Sequence, residues 1–247
     1  MKVYAVVKRG LEKTKCEDSV VVGNNVICDA EFECKFSENG AICVADGVGG
    51  NAGGHIASAY VTEKLKMFSE FSAETNEKDI RERLIRINHN LIAEGEILGF
   101  PNMATTLTGI VCTKSKKYIV HIGNTRAYIL QGRYLKPLTT DHTVYNKLLE
   151  MGKIDESAQC NKNEIICCFG GGNRTLAEGL YVTSLQDFNV LLLTSDGVHD
   201  FINSDELESF ITTEMAEAEK CRAILQAAKN AGSTDDMSVV IIVNRED

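Results

Sequence analysis

The sequence predicts an α+β fold in which two β-sheets pack together and helices cover their outer faces, an αββα layering. Apolar, strand-like segments come first, two helical segments follow, and further strands then precede two more helices and a closing strand. This order does not alternate strand with helix, as a parallel βαβ sheet would require. Only Pro101 and Pro137 are prolines, and no Gly/Ser-rich linker divides the chain, so we expect one domain over 1–247.

In the first half of the chain, three apolar segments are predicted as strands: Val3–Val7, Ser19–Val22 and Ala41–Ala45. The last of them, AICVA, is apolar at every position, which is typical of a strand covered on both faces. One helix is predicted over residues 52–71. A second helix is indicated by apolar residues that fall on one helical face: Ile80, Leu84, Ile87 and Leu91.

The second half repeats the pattern of strands followed by helices. Its predicted strands are Thr105–Cys112, Tyr118–Ile122, Ala127–Leu130, Ile165–Phe169, Val190–Leu193 and Val239–Val243. Its predicted helices are Thr143–Met151, Ser204–Ile211 and Met215–Ala231.

The composition argues against several classes of protein. The net charge is −9 and no dense Lys/Arg run occurs, so we expect no binding of nucleic acid. No apolar run approaches the length of a membrane span, and the opening MKVYAVVKRG has too short an apolar stretch for a signal peptide. Nine cysteines occur without a C-x-x-C pair, so we expect reduced thiols, no zinc cluster and a cytoplasmic location.

Acidic residues stand at the ends of four apolar strands. Asp46 follows AICVA and precedes Gly47, Asp196 follows VLLLTS, Asp235 lies just before the last strand, and the pair Glu17-Asp18 lies at the start of SVVV. A single Asp-Gly is more often a turn than a ligand. If the four positions converge, however, their charges repel unless a cation lies between them. Magnesium and manganese prefer such oxygen ligands, so the pattern predicts a divalent-metal site.

A nucleotide-binding α/β protein is the alternative that the stretch GVGGNAGG raises. The stretch lacks the Lys-Ser/Thr of a P-loop and the G-x-G-x-x-G register directly after a strand. It is therefore weak evidence for a nucleotide.

Seven segments, in order, resemble the PPM (type 2C) family of metal-dependent protein phosphatases in its bacterial form. They are RGLEKTKCEDS, VADGVGGNAGGHIAS, MATTLTGIV, HIGNTRAYIL, LTTDHT, LLLTSDGVHD and GSTDDMSVVII. The resemblance covers nearly the whole chain. It implies two central, mostly antiparallel sheets flanked by helix pairs, and a variable flap over residues 141–172.

The same resemblance implies a centre for two Mn²⁺ or Mg²⁺ ions per subunit. Its ligands would be Glu17, Asp18, Asp46, Gly47, Asp196 and Asp235. Asp46 would bridge both ions, the Gly47 carbonyl would bind one, and Glu17 and Asp18 would bind directly or through metal-bound waters. Lys13 stands where the family usually has an Arg that binds the substrate phosphate, and with Asp46 it is the expected catalytic pair.

Several positions depart from the family pattern. Lys13 can supply charge but not the two-pronged contact of Arg. Asn124 replaces an Asp that serves a third, weaker metal, which puts that third site in doubt. The remaining departures are Cys16, Asn51 and His55, and Val48 matches the apolar residue of bacterial members.

The function that the resemblance implies is hydrolysis of phosphoserine and phosphothreonine in proteins by a metal-activated water. The alternative is a pseudophosphatase, a protein of the same fold used for binding or regulation. The expected partners are phosphorylated proteins, with a Ser/Thr kinase and its targets among them, and the expected state is a monomer. His142 has two interpretations, a group near the flap of the active site or a packing residue before a helix, and the second is favoured.

Overall fold

The computed structural model describes residues 1–36, 39–48, 52–172 and 178–244. The described strands are β1 (Lys2–Lys8), β2 (Asp18–Val22), β3 (Asn25–Ile27), β4 (Glu31–Lys35), β5 (Gly40–Asp46), β6 (Ala104–Thr105), β7 (Leu107–Cys112), β8 (Lys117–Ile122), β9 (Arg126–Gln131), β10 (Tyr134–Pro137), β11 (Phe169–Gly170), β12 (Tyr181–Leu185), β13 (Val190–Thr194) and β14 (Met237–Val243). The α-helices are α1 (Gly54–Leu65), α2 (Glu77–Leu98), α3 (Val144–Glu150), α4 (Ile154–Ser157), α5 (Asp196–His199), α6 (Ser204–Thr212) and α7 (Glu217–Asn230).

Two six-stranded sheets form the centre of the fold. Sheet I has the strand order β10-β9-β13-β14-β1-β4, and sheet II has the order β12-β8-β7-β5-β2-β3. All pairings between neighbouring strands in both sheets are antiparallel. The short strands β6 and β11 form a separate pair. The prediction of two antiparallel sheets is confirmed.

Three apolar cores separate four layers. Along β1, Val3, Ala5 and Val7 point into the core between the two sheets, while Val6 points into the core shared with α6 and α7. On the other side, α1 and α2 pack against sheet II. The order of layers is therefore α1/α2, sheet II, sheet I and α6/α7, which confirms the αββα prediction. Each fully buried aliphatic side chain in these cores contributes about 1.5–3 kcal/mol.

Helix α2 is stabilised by a buried apolar face and by capping residues at both of its ends. The four residues predicted to share a face are all buried: Ile80, Leu84, Ile87 and Leu91. At its start, the Asn76 side chain accepts hydrogen bonds from the backbone N–H groups of Lys78 and Asp79, and the Asp79 carboxylate accepts one from the Asn76 N–H. The helix ends at Gly99, whose φ of 79° closes it in the left-handed conformation.

Three predicted elements differ from the structure. The strand predicted over Thr105–Cys112 begins at Leu107 as β7, because Thr105 belongs to the separate short strand β6. The helix predicted over 52–71 is α1 followed by a 3₁₀ turn at Lys66–Glu70. The strand predicted at 165–169 is wrong, because only Phe169 of that run pairs, with Thr105, while Ile165 makes an isolated bridge to Thr143. Ile166 is 44% exposed, so this apolar run is a loop that contacts the core at separate points. Within the described ranges, none of the helices combines the length and the hydropathy that a transmembrane span requires.

Candidate metal centre

Acidic residues from both sheets meet at one end of the sandwich. In sheet II, Asp18 begins β2 and lies opposite Asp46, the last residue of β5. In sheet I, Asp196 directly follows Ser195 after β13, and Asp235 lies two residues before β14. Because β13 and β14 are neighbours, the carboxylates of Asp196 and Asp235 come together. Their charges also raise the pKa of Asp46.

Asp46 is held by its backbone. Its N–H donates to Thr106 Oγ1 at 3.0 Å, and its carbonyl accepts from the Thr106 N–H at 2.8 Å and from Thr105 Oγ1 at 2.9 Å. Burial, followed by the charges of Asp196 and Asp18, raises the pKa of Asp46 well above its usual range. Its carboxylate also contacts that of Asp196, a pairing of like charges that calls for a proton or a cation.

Asp196 is oriented by Asn124. The Asn124 Nδ2 donates to Asp196 Oδ2 at 2.9 Å. Burial is the main cause that raises the pKa of Asp196 to about 6, and Asp235 adds to it. The Oδ1 of Asn124 is buried and has no hydrogen-bond partner among the described residues. Asn124 therefore acts here as a donor to the Asp196 carboxylate.

Asp18 lies between two serine hydroxyls. Its side chain is only 1% exposed, and its Oδ2 accepts hydrogen bonds from Ser195 Oγ and Ser238 Oγ, both at 2.7 Å. Burial raises the pKa of Asp18 to about 7 despite these two donors. Its Oδ1 has no partner within the described ranges, so one buried acceptor remains unused.

Lys13 is the cation of this acidic cluster. Its Nζ lies 3.1 Å from Glu17 Oε2 and 3.2 Å from Asp236 Oδ2, and it also pairs with Asp235. Partial burial lowers the pKa of Lys13, but the contacts with Asp235 and Asp236 outweigh burial and the net pKa is raised. The ammonium group therefore remains charged and offsets part of the local negative charge.

Asp236 holds the loop that carries Lys13. It is 2% exposed, its Oδ1 accepts from the Gly10 N–H at 2.8 Å, and its Oδ2 accepts from the Glu17 N–H at 2.7 Å. A Cβ atom on Gly10 would lie 2.3 Å from the Thr234 carbonyl oxygen, so only glycine permits this close approach. The loop before β2 is thus fastened to the segment before β14.

Gly47 requires a second close approach of two backbones. A Cβ atom on Gly47 would lie 2.4 Å from the carbonyl group of Gly54, at the start of α1. The Gly47 N–H donates to the Glu17 carbonyl at 3.0 Å. The backbone of Gly47 is therefore packed between the start of α1 and the Glu17 segment.

The donor set fits a hard divalent cation. Carboxylate and carbonyl oxygens are the ligands that Mn²⁺ and Mg²⁺ prefer, and the buried Oδ1 of Asp18 is an unused acceptor. The side chains do not already surround one point, since in the described part of the chain no three Asp, Glu, His or Cys side chains are placed to hold an ion together. Because Asp235 turns toward Lys13 and Asp46 toward Asp196, ion binding would require these carboxylates to rotate.

The structure brings every predicted site residue into one cluster: Lys13, Glu17, Asp18, Asp46, Gly47, Asp196 and Asp235. Asn51 lies outside the described residues. The sequence pattern predicts no role for Asp236, Ser195 or Ser238. The sequence feature that could have identified the serines is their position beside an acidic residue and an apolar strand. Ser195 directly precedes Asp196, and Ser238 stands two positions after Asp236.

The start of the predicted flap is anchored next to this centre. Arg126 binds Asp141 with two prongs, with Nε 2.9 Å from Oδ1 and Nη2 2.6 Å from Oδ2. The His142 backbone N–H donates to the Gly123 carbonyl, and its ring packs at 4.6 Å from that of His121. His142 thus packs before α3, as the sequence interpretation has it.

Comparison with known proteins agrees with this geometry. The family model described as protein phosphatase 2C matches residues 21–230. The chain is similar to the serine/threonine phosphatase stp of Listeria welshimeri, with 28% identity over 211 residues that cover 81% of this chain and 83% of that protein. Its fold is similar to that of Stp1 from Staphylococcus aureus, with a TM-score of 0.82 and 23% identity, over 99% of this chain and 95% of that one.

A further solved structure includes metal ions. It is the catalytic domain of the serine/threonine protein phosphatase PstP in complex with 2 manganese ions, with a TM-score of 0.76 and 25% identity over 98% of each chain. The family match covers most of the sequence, includes five of the seven ordered motifs and agrees with the two-sheet fold. The chain therefore belongs to the protein phosphatase 2C family.

Proposed function

We propose that this chain is a metal-dependent protein serine/threonine phosphatase that works with two Mn²⁺ or Mg²⁺ ions. The observation that carries the proposal is the meeting of Asp18 and Asp46 from sheet II with Asp196 and Asp235 from sheet I. Together with the family membership and the PstP structure with manganese ions, this set supports a two-ion centre. Ions held there supply positive charge that activates water and stabilises the phosphoryl transition state.

Each residue of the cluster has a proposed role. The ions would be held by the carboxylates of Asp46, Asp196 and Asp235 and by the Gly47 carbonyl. Glu17 and Asp18 would hold them directly or through water. Asn124 keeps Asp196 oriented through its 2.9 Å hydrogen bond.

Lys13 is the proposed contact for the substrate phosphate. Its ammonium group lies against Glu17, Asp235 and Asp236, so it is already within the acidic cluster where the phosphate must arrive. An incoming phosphate would exchange one set of anionic partners of Lys13 for another. Because a Lys ammonium is a point charge, it attracts phosphate without fixing its orientation.

The alternative of a pseudophosphatase has less support. Enzymes that lose catalysis tend to lose metal ligands, and here an acidic residue is present at each position where the proposed ligand is a carboxylate. The hydrogen bonds that hold Asp18, Asp46 and Asp196 in place are also present.

The wider setting is also proposed. We infer one catalytic domain over 1–247, with residues 141–172 as a variable flap beside the centre. Phosphorylated proteins are the substrates, a Ser/Thr kinase and its targets are partners, and the chain acts as a monomer. Nine free thiols fit a reducing compartment, which supports a cytoplasmic location.

The test is metal-dependent turnover by the purified chain. With added manganese it should hydrolyse p-nitrophenyl phosphate and a phosphothreonine peptide, should leave a matched phosphotyrosine peptide largely intact, and should stop with a chelator. Asp46→Asn should abolish turnover, whereas Asp187→Asn, which changes an exposed carboxylate paired with Lys117, should not. Turnover no greater than that of Asp46→Asn would reject the enzyme. Retained manganese binding without turnover would favour the pseudophosphatase.

A further inference from the structure

Two cysteine thiols lie in contact beside the metal centre. Cys16 is buried directly before Glu17, and Cys28 is exposed in the turn after β3. The two thiols are within hydrogen-bonding reach of each other. In addition, Cys28 Sγ lies 3.9 Å from the Cys16 carbonyl oxygen, and Cys16 Sγ lies 3.5 Å from that of Asp18.

The backbone holds these two segments together independently of sulfur. Asp29 adopts a left-handed conformation with φ of 46°, and its Oδ1 accepts a hydrogen bond from the Arg9 N–H at 3.2 Å. The Arg9 guanidinium in turn donates to the Thr14 carbonyl at 3.0 Å. The Val7 N–H donates to the Ala30 carbonyl at 2.9 Å. The turn that carries Cys28 is thus tied to the loop that carries Cys16.

We propose that Cys16 and Cys28 are a site of reversible oxidation by hydroperoxides, and that the disulfide they form weakens metal binding at the adjacent centre. Hydrogen peroxide first oxidises the exposed Cys28 thiol to a sulfenic acid and is itself reduced to water. The Cys16 sulfur then attacks that of Cys28, forms the S–S bond and expels the sulfenic oxygen as a second water. A dithiol reductant returns both thiols by exchange through a mixed disulfide.

Cys28 is the better of the two for the first step. It is exposed, whereas Cys16 is buried, so peroxide reaches the Cys28 thiol first. The susceptibility of a thiol to oxidation increases with its exposure. Cys43 and Cys112 are both at most 1% exposed, and burial raises the pKa of each thiol, so peroxide does not reach them.

Disulfide formation affects the metal centre because it shortens the distance between the two sulfur atoms. A disulfide requires the two sulfur atoms to be about 2.05 Å apart, closer than thiols in contact, so the Cys16 segment must shift toward the turn. Glu17 follows Cys16 directly, and its side chain meets Lys13 while its N–H binds Asp236. A shift of this segment changes the positions of Glu17 and Asp18. Disturbing groups that orient metal ligands reduces metal affinity by about tenfold or more.

The first measurement is the disulfide itself and does not depend on phosphatase activity. The full chain is treated with hydrogen peroxide, remaining thiols are alkylated, and peptides are mapped by mass spectrometry. A peptide pair joined through Cys16 and Cys28, lost on treatment with dithiothreitol, is expected. Alkylated Cys16 and Cys28 after peroxide treatment, or their pairing with other cysteines, would overturn the proposal.

The second measurement is manganese binding by calorimetry, which depends on the proposed function only through the location of the centre. The oxidised chain should bind manganese about tenfold more weakly than the reduced chain. Cys28→Ser, a change at an exposed position, should remove this sensitivity, and Cys34→Ser, a change at another partly exposed thiol, should keep it. Equal affinities of the oxidised and reduced chain would overturn the coupling to the metal centre. Failure of the reduced, metal-loaded chain to turn over substrate would instead count against the phosphatase assignment.

Discussion

Asp18 and Asp46 lie opposite each other across the antiparallel pair of β2 and β5. Directly opposed residues in such a pair have Cβ atoms about 4.5–5.5 Å apart, so the two carboxylates share one small region. Asp18 Oδ2 accepts hydrogen bonds from the hydroxyl groups of Ser195 and Ser238, while its Oδ1 has no hydrogen-bond partner among the described residues. The pair is therefore electrostatically unfavourable in isolation and favourable around a cation.

Neutralising Asp18 should stabilise the chain when a chelator is present. Burial raises the pKa of Asp18 to about 7, so the ionised group opposes folding above that pH. Asp18→Asn should then raise the free energy of unfolding by roughly 1–3 kcal/mol at about pH 8, and the gain should disappear toward about pH 4, where the wild-type carboxyl is protonated in both states. The measurement is denaturant unfolding across this range.

The same substitution should have the opposite effect on metal binding. We expect Asp18→Asn to raise the manganese concentration needed for half-maximal activity by about tenfold or more. Asp187→Asn, at an exposed carboxylate two residues after β12, is the control and should change neither the free energy of unfolding nor the manganese requirement. A chelated Asp18→Asn protein that is less stable than wild type at high pH would contradict this view of Asp18.

Replacing Lys13 should change substrate binding more than turnover. Lys13→Arg offers a two-pronged contact to phosphate and should lower KM for a phosphothreonine peptide, with kcat changed only a few-fold. Lys13→Met should raise KM. Steady-state kinetics at saturating manganese gives both constants, and Lys15→Arg, which alters a lysine bonded to His55 instead, should change neither. An unchanged or raised KM in Lys13→Arg would exclude Lys13 as the phosphate contact.

Asn124 should determine how many ions the chain binds. Its Nδ2 donates to Asp196, so it supplies no carboxylate of its own. We expect the wild type to bind two manganese ions and Asn124→Asp to bind a third, weaker one, measured by equilibrium dialysis. Since the new carboxylate faces Asp196, the variant should also need more manganese before it reaches full activity. A third ion in the wild type, or none gained in the variant, would contradict this role.

His121 should make the fold sensitive to acid. It is buried, with Nδ1 2.8 Å from Thr108 Oγ1 and Nε2 3.0 Å from the Thr140 carbonyl. Burial is the main cause that lowers its pKa to about 3. Below about pH 6.5, His121 therefore binds a proton more readily in the unfolded chain than in the folded one. The free energy of unfolding should fall by about 2 kcal/mol between about pH 6.5 and about pH 5.

The acidic cluster has the opposite effect, because its raised pKa values increase the free energy of unfolding as the pH falls. Variants separate the contribution of His121 from it. His121→Gln keeps a donor toward Thr140 and should flatten the dependence of stability on pH. His89→Gln, at an exposed position of α2, should leave the wild-type slope. Equal slopes for all three proteins would show that His121 is not the responsible group.

The sequence predicted the inner parts of this fold better than its borders. The buried strands and α2 were recognisable because their apolar pattern reflects two covered faces or one helical face. The strands that were missed are the four sheet edges: β3, β4, β10 and β12. Edge strands are short and carry polar residues, as in EFECK of β4, so their pattern is weak.

The metal centre was likewise predictable only where a local sequence pattern marked its residues. Asp46 and Asp196 were predictable because each follows a continuously apolar strand. The support they receive was not, since the hydrogen bonds of Asp236 to Gly10 and of Ser238 to Asp18 join residues more than two hundred positions apart. Pairings of that kind follow from the order of strands in the two sheets, which no local pattern encodes.

The layered order also has a practical consequence. The proposed ligand carboxylates come from strand ends of the inner sheets, from the loops beside them or from the start of the short helix α5, and none comes from α2, α6 or α7. The outward faces of these helices are therefore separated from the chemistry by a core and a sheet. A fluorescent label, an affinity tag or an immobilisation linker attached there should leave turnover intact, so these faces offer handles for single-molecule and surface-based assays.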